Sequence, residues 1–243
     1  MGKKLAMNNR GFTIVELMIA VSVFSMILLL TTVGMVQISK AYYKGIVQAT
    51  TQQTARNVIN SVAQNVQFSS FTGITEGLDP SGTYGSGYVV RSFCVGDQQQ
   101  YSYITGYQQS AARGTGTNEP VSDTGYTSKH VLWQSPVKYP NCAPANLGVA
   151  DPGVGKELLE EKMRLTNFKI EQDPLSNDPS LIKISVTIIY GDEDLIDKND
   201  PVNPLSPLNH WKCKATSGAF SSAFCAKSEM STVVGKRLSL GIE

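Results

Sequence analysis

The sequence has little of the chemistry on which most enzymes depend. Its 243 residues include only two histidines, His130 and His210, and its four cysteines form no C-x-x-C pair. Neither of the common phosphate-binding glycine motifs, G-x-x-x-x-G-K-[ST] and G-x-G-x-x-G, is present. The histidines lie in unpatterned segments and are not spaced with the cysteines as in common zinc sites. These absences predict a protein that is not an enzyme and that carries no cofactor.

A large net charge is also missing. The formal charge is +1, with 21 lysines and arginines against 20 acidic residues. Residues 1–11 hold three of the basic residues and no acid, so their removal would leave 18 basic and 20 acidic side chains, a charge of −2. Because no basic patch is present, binding to nucleic acid is not indicated.

Only one long apolar run is present. It extends from Leu17 to Val36, twenty residues without a formal charge, which is the length that a helix needs to cross the hydrocarbon of a bilayer. No later segment is long and apolar enough to span again, so the sequence predicts a single-pass protein. By the positive-inside bias, three basic residues ahead of the run keep the N-terminus in the cytoplasm: Lys3, Lys4 and Arg10.

Glu16 stands immediately before this run, where an acidic side chain is a functional candidate by default. One interpretation places its carboxylate among the lipid headgroups, where it complements the positive end of the helix dipole. The neighbouring residues favour another interpretation. A short basic leader ends at Gly11, an aromatic residue follows at Phe12, and the acid comes four positions later. This pattern, GFTIVELMIA, resembles the type IV prepilin leader over residues 8–38.

The resemblance implies a processing site and an assembly residue. In type IV pilins and pseudopilins a membrane peptidase cuts after the glycine and N-methylates the new first residue. Gly11 would therefore end the leader, and Phe12 would become the methylated N-terminus. Glu16 would be the fifth mature residue, which in the family faces the terminal amine of a neighbouring subunit. The implied partners are prepilin peptidase/methyltransferase, other pilin subunits and an inner-membrane assembly platform.

The helix is predicted to continue beyond the membrane. From Ile38 to Phe68 there is no proline and Gly45 is the only glycine, so we predict one helix from about Thr13 to Phe68. Many pilins have a helix-breaking residue in the membrane half, but here the only such residue is Gly34, near its end, so local melting on assembly is not supported. Small and apolar residues recur at helical spacing opposite a polar stripe: Val47, Thr51, Ala55, Val58, Val62 and Val66, against Gln48, Gln52, Arg56, Asn60 and Gln64.

The remaining chain predicts a β-rich head and an α+β fold. The long helix would pack on an antiparallel sheet that is followed by a cysteine-closed loop near the C-terminus. The clearest strands are 163–172 and 181–190, and alternation in the second predicts one buried and one wet face. Further strands are predicted within 87–95, 101–107, 131–135 and 231–240, with turns or loops at 69–86, 108–129, 136–155 and 191–212.

These elements divide the chain into four parts. Residues 1–11 are the expected leader, 12–38 the transmembrane and assembly helix, 39–68 its amphipathic continuation, and 69–243 an extracytoplasmic head. All four cysteines lie in the head, on the side where an even count favours disulfides. Three pairings are possible. The short separation favours Cys213 with Cys225, and Cys94 and Cys142 are the other candidates.

An acidic cluster follows the predicted strand at 181–190. Calcium prefers carboxylate and carbonyl ligands, but the spacing does not fit an EF-hand loop, and a polar run after a strand is usually a solvated turn. No metal is therefore expected. The calcium candidates are Asp192, Asp194, Asp197 and Asp200.

The predicted function is that of a structural subunit of a type IV pilus-like filament. The precursor would sit in the cytoplasmic membrane with its head outside, and would then enter an extracellular or periplasmic filament. The large head with long loops favours a minor subunit over a major one. Two alternatives stay open: a minor pseudopilin of a type II secretion or DNA-uptake system, and a signal-anchored binding protein that never polymerises. The second alternative requires neither Gly11 nor Glu16 at these spacings.

Overall fold

The computed structural model describes residues 11–68, 74–78, 90–96, 99–109, 127–128, 130–147, 152–176, 178, 180–197, 211–214 and 224–235. The chain divides between Tyr42 and Tyr43 into two compact units. Helix α1, Ile14–Phe68, is one element of 55 residues that begins in the first unit and ends in the second. Its bounds confirm the helix predicted from about Thr13 to Phe68.

In the first unit α1 is apolar all round. Its large side chains are exposed, and an 18-residue window of the helix has a mean hydropathy of 2.4 with none of its residues buried. A helix with apolar residues on every side suits a membrane span or the core of an assembly, because its apolar side chains are shielded from water in either place. By length and composition, α1 is able to cross a membrane.

In the second unit α1 has two different faces. The predicted polar stripe is exposed, and all six predicted apolar or small positions are buried. Each buried aliphatic side chain of this face contributes roughly 1.5–3 kcal/mol relative to exposure. The complete buried face is Val47, Thr51, Thr54, Ala55, Val58, Ile59, Val62 and Val66.

In the described residues of the head, two five-stranded sheets and one short ladder are present. In the first sheet every pairing is antiparallel, and its strand order is β1 (Ile74–Leu78), β2 (Arg91–Val95), β3 (Gln99–Tyr103), β6 (Leu132–Ser135) and β7 (Lys156–Glu157). The second sheet is antiparallel except for its last pair, in the order β12 (Ala226–Gly235), β9 (Leu181–Tyr190), β8 (Met163–Gln172), β4 (Gln108–Gln109) and β5 (Thr127–Ser128). The ladder pairs β10 (Ile196–Asp197) with β11 (Lys212–Cys213), and 3-10 turns lie at Pro140–Cys142 and Glu193–Leu195.

The buried face of α1 packs on both sheets in one core. Ile184, Val186 and Ile188 of β9 lie in this core together with Val58 and Val62 of α1. Aromatic rings join the two sheets: Phe168 of β8 lies edge-on to Phe93 at 5.7 Å and to Tyr103 at 5.1 Å between ring centroids. The predicted α+β architecture, with a long helix and antiparallel sheets, is therefore confirmed.

The segment 69–86 was expected to be a turn-rich connector, and this prediction is wrong for its middle. Residues Ile74–Leu78 form β1, which pairs along its whole length with β2, from Ile74 opposite Val95 to Leu78 opposite Arg91. The pairing supplies backbone hydrogen bonds that local composition does not reveal, so the tertiary context overrides the turn-like sequence. The rest of this segment lies outside the described residues.

The predicted strand at 101–107 also differs from the structure. The strand ends at Tyr103, and Gly106, at φ 86°, turns the chain towards the second sheet. The Gly106 amide then donates to the Leu165 carbonyl at 2.8 Å. Of the predicted strand, Tyr101 and Tyr103 therefore lie in β3, whereas Thr105 and Tyr107 lie in the irregular chain that leads to β4.

Only part of the predicted wet face of 181–190 is exposed to solvent. Thr187 and Ile189 are buried, and Ile189 packs with Ile196, Trp211 and Cys225 in a second small core. This core also explains why the segment 191–212, expected to be a loop, contains β10 and the first residue of β11. The last strand, predicted from 231, begins at Ala226 and stands at the edge of its sheet; residues 236–240 lie outside the described part.

Candidate functional site

Gly11 and Phe12 lie in irregular chain directly before α1. Phe12 is 79% exposed. A Cβ added at Gly11 would meet no atom within 4 Å, and Gly11 is not among the glycines with positive φ. Neither packing nor backbone conformation in the described chain therefore requires glycine at this position. The preceding residues of the expected leader, 1–10, lie outside the described part.

Thr13 and Glu16 close the first turn of α1 on each other. The Glu16 amide donates to the Thr13 hydroxyl oxygen at 3.2 Å, and the Thr13 amide donates back to Glu16 Oε2 at 2.9 Å. The Thr13 hydroxyl donates to the same carboxylate oxygen at 2.9 Å. This reciprocal arrangement is a capping box, which satisfies amides that have no partner within the helix. The Thr-x-x-Glu spacing is the signal for it in the sequence, but the box was not among the predicted features.

Glu16 is also an isolated charge in the sequence. From Phe12 to Ser39 it is the only formally charged side chain. Its side chain is exposed in the described structure, where its carboxylate accepts hydrogen bonds from Thr13 of its own first turn. The structure thus brings Glu16 to Thr13, while Phe12 lies four residues before Glu16 in the irregular chain that precedes α1. It adds a local role for Glu16 to the intersubunit role expected from the resemblance.

Both cysteine pairs lie at disulfide distance. Cys213 and Cys225 have Cα atoms 5.7 Å apart, and this is the pair that the sequence separation favoured. Cys94 and Cys142 have Cα atoms 5.9 Å apart and join β2 to the 3-10 turn that follows β6. The first pair ties β11 to the start of β12 and forms the predicted cysteine-closed segment near the C-terminus.

The described calcium candidates do not converge. Asp192 Oδ2 lies 3.4 Å from Lys162 Nζ, and Asp197 Oδ2 lies 3.8 Å from Lys212 Nζ. Asp194 lies in the 3-10 turn between them. Within the described residues, no group of three or more acidic, histidine or cysteine side chains is placed to hold a metal. Asp200 lies outside them.

The carboxylate of Glu157 has a structural environment that the sequence did not reveal. It accepts hydrogen bonds from the amides of Val131 at 2.9 Å, Leu132 at 3.1 Å and Leu159 at 2.9 Å. His130 Nδ1 lies 3.4 Å from Glu157 Oε2, and the His130 ring packs edge-on against Trp133. This arrangement holds backbone amides near β6 and β7. The other histidine, His210, lies outside the described residues.

A cleft of about 520 Å³ opens between β8 and the first sheet. The aromatic rings of Phe93, Tyr103 and Phe168 line it, and the ion pair of Arg91 with Glu76, at 3.2 Å, lies at the same cleft. In the part of the chain that the structure describes, no histidine, cysteine or serine lines this cleft.

The N-terminal features define a class of protein: an α+β chain with an apolar N-terminal helix and an acidic residue in its first turn. Residues 6–32 match the family model of the prokaryotic N-terminal methylation motif, which includes Gly11, Phe12 and Glu16. The match supports the type IV pilin and pseudopilin family, and the motif indicates a type IV pilin-like protein. Searches of curated proteins and of solved structures found no match.

For this family in general, the motif implies processing by prepilin peptidase and assembly of pilins. With the apolar N-terminal helix, it fits a membrane-anchored subunit. The match covers the motif and the first part of α1, and the head lies outside it.

Proposed function

We propose that this chain is a minor subunit of a type IV pilus-like filament. Prepilin peptidase cuts the membrane-anchored precursor between Gly11 and Phe12 and methylates the new amine of Phe12. The mature chain is then passed from the inner-membrane assembly platform to other pilin subunits through its helix at 12–38. Its role is structural rather than catalytic.

The observation that carries the proposal is the methylation motif at the start of a helix whose apolar side chains in the first unit are exposed in the described structure. The apolar side chains between Leu17 and Leu30 are exposed, and such a surface is stable only in lipid or against other helices. Insertion as a precursor supplies the lipid, and assembly supplies the helices. A single apolar surface therefore serves both stages.

Gly11 supports processing at this bond. Neither packing nor backbone conformation in the described chain requires glycine at position 11, and a peptidase that approaches the backbone closely would make use of the missing side chain. A glycine at this position lets the active site of the peptidase reach the bond without meeting a side chain.

Glu16 supports assembly through the N-terminal helix. Cleavage creates a positively charged amine at Phe12, one helical turn from the Glu16 carboxylate. In a filament core the carboxylate leaves water, and an unpaired charge there costs several kcal/mol. The amine of a neighbouring subunit removes this cost only in the correct axial register, so the pair sets the step between subunits.

The proposal also gives an orientation. The basic residues before the helix keep the N-terminus in the cytoplasm, and the disulfide-linked cysteines suit an oxidising environment for the head. The head therefore lies outside the cytoplasm before and after assembly, in a periplasmic or extracellular filament.

Mass spectrometry of the mature N-terminus tests the processing step. In cells with prepilin peptidase, the N-terminal peptide should begin at Phe12 and carry one methyl group on its amine. In cells without the peptidase, the same chain should retain Met1 and the residues up to Gly11. Recovery of the intact leader in peptidase-containing cells would refute the proposal.

A further inference from the structure

A small patch of apolar side chains is exposed on the head unit. The rings of Tyr43 in α1 and Phe224, just before β12, have centroids 5.9 Å apart. Tyr43 is 51% exposed, Phe224 42%, and Ile46, one helical turn after Tyr43, 43%. We call these three residues, Tyr43, Ile46 and Phe224, the aromatic patch.

The backbone beneath Phe224 is held firmly. The next residue, Cys225, is bonded to Cys213 and is buried with Trp211 in the second small core. Gly191, at φ 133°, lets the chain after β9 pass so close that an added Cβ would lie 3.1 Å from the Phe224 carbonyl oxygen. The Phe224 ring is therefore presented at the surface by a packed and disulfide-linked segment.

The patch lies in the sequence just beyond the apolar run. Tyr43 follows Val36 by seven residues, which is about 10 Å along a helix. The headgroup layer extends roughly 5–8 Å beyond the hydrocarbon, and helical side chains incline towards the N-terminus, which brings the Tyr43 ring back towards this layer. Tyrosine is enriched at this depth in membrane proteins because its ring is apolar and its hydroxyl is polar.

The charges around Tyr43 suit the same surface. Lys40 and Lys44 flank it in the sequence, and residues 37–50 include no acid. Lysine stems lie along apolar surface while their ammonium groups reach lipid phosphates, and anionic lipids attract basic residues close to the bilayer. A partner with a negatively charged, partly apolar surface therefore fits this part of the head.

We propose that the aromatic patch and Lys44 bind the phospholipid headgroup layer on the head's side of the membrane, with anionic phosphate as the ligand of Lys44. This interaction rests on the proposed membrane anchoring of the precursor and goes beyond it, because it holds the head against the bilayer before assembly. A second copy of the chain is the competing occupant. The lysines and the short distance from the apolar run favour lipid.

Photo-crosslinking in vesicles of phosphatidylethanolamine and phosphatidylglycerol tests this binding. The full-length precursor would carry Phe224→benzoylphenylalanine, and mass spectrometry would detect adducts of lipid or of protein. Leu175→benzoylphenylalanine is the exposed control, since Leu175 lies 93% exposed in the turn after β8. Phe24→benzoylphenylalanine, within the apolar run, reports insertion.

The expected result is a lipid adduct at Phe224 and at Phe24, at least several-fold more abundant at Phe224 than at Leu175. Replacing phosphatidylglycerol by phosphatidylcholine, or Lys44→Gln, should lower the adduct at Phe224 and leave that at Phe24 unchanged. A lipid adduct at Phe24 without one at Phe224, or a crosslink from Phe224 to a second copy, would overturn the binding and leave membrane anchoring intact. No adduct at Phe24 would overturn the anchoring and the binding together.

Discussion

Glu16 Oε2 accepts two hydrogen bonds from Thr13, one from its amide and one from its hydroxyl, each 2.9 Å long. The residue expected to act between subunits is therefore already engaged at the start of its own helix. The two roles are compatible, because the capping box needs only a side-chain oxygen at position 16, whereas a neighbour's amine needs its charge.

The capping box predicts a local effect of Thr13. Thr13→Ala should destabilise the first turn of α1 by about 1 kcal/mol, since the Glu16 amide loses its side-chain acceptor. Hydrogen exchange of the amides in this turn should become faster for the full-length chain in detergent. Thr13→Ser retains the hydroxyl and should exchange like the wild type. Equal rates for Thr13→Ala and Thr13→Ser would show that the box is not formed.

Gly11 is predicted to matter for cleavage of the precursor and not for the folding of the chain. Gly11→Leu should leave an uncut precursor, because the side chain enters the space that the peptidase needs. The chain offers a matched control in Gly45→Ala: Gly45 also has open space around it, and alanine in a helix interior gains roughly 0.5–1 kcal/mol. Gly45→Ala should be cut normally. Immunoblots that show equal cleavage of Gly11→Leu would contradict the assigned bond.

The two disulfides are predicted to differ in their contributions to stability. On the chain-entropy model, a loop of about 12 residues contributes about 3 kcal/mol and one of about 48 residues about 4 kcal/mol, and these are the separations of Cys213–Cys225 and Cys94–Cys142. Serine at both cysteines of the longer loop should therefore cost more in urea unfolding. Peptide mapping that joined Cys213 to Cys94 or Cys142 would rule out this pairing.

The head is predicted to lose stability in alkali. Burial raises the pKa of Tyr103, and also that of Tyr101, where a hydrogen bond from Asn65 lowers it to a smaller extent. A folded-state pKa above the unfolded value means that stability is fully present below about pH 10 and falls as the pH rises beyond it, because the unfolded chain loses the proton first. Tyr103→Phe should reduce this fall, because phenylalanine has no proton to lose. The free energy of unfolding at pH 9 and pH 11 measures the difference.

The sequence predicted α1 and the β8–β9 hairpin well, because helical spacing and strand alternation are local patterns that burial then reinforces. It missed β1, whose residues form a strand only because β2 is available to pair with them. It also missed the turn at Gly106 and the burial of Ile189, since both depend on segments distant in sequence. In the candidate site, Gly11, Phe12 and Glu16 were visible as a motif. The partner Thr13 was equally visible as a capping-box residue but was not recognised.

The central claim is that Glu16 acts between subunits of a filament. The incorporation of Glu16 variants of the chain into sheared filaments tests this most directly. Glu16→Gln keeps an oxygen for the capping box but removes the charge, whereas Glu16→Ala removes both. Both variants should insert into the membrane and be cut after Gly11, and both should have a much lower ratio of filament to membrane protein than the wild type. Wild-type ratios for both variants, or absence of the unmodified chain from filaments, would contradict the account.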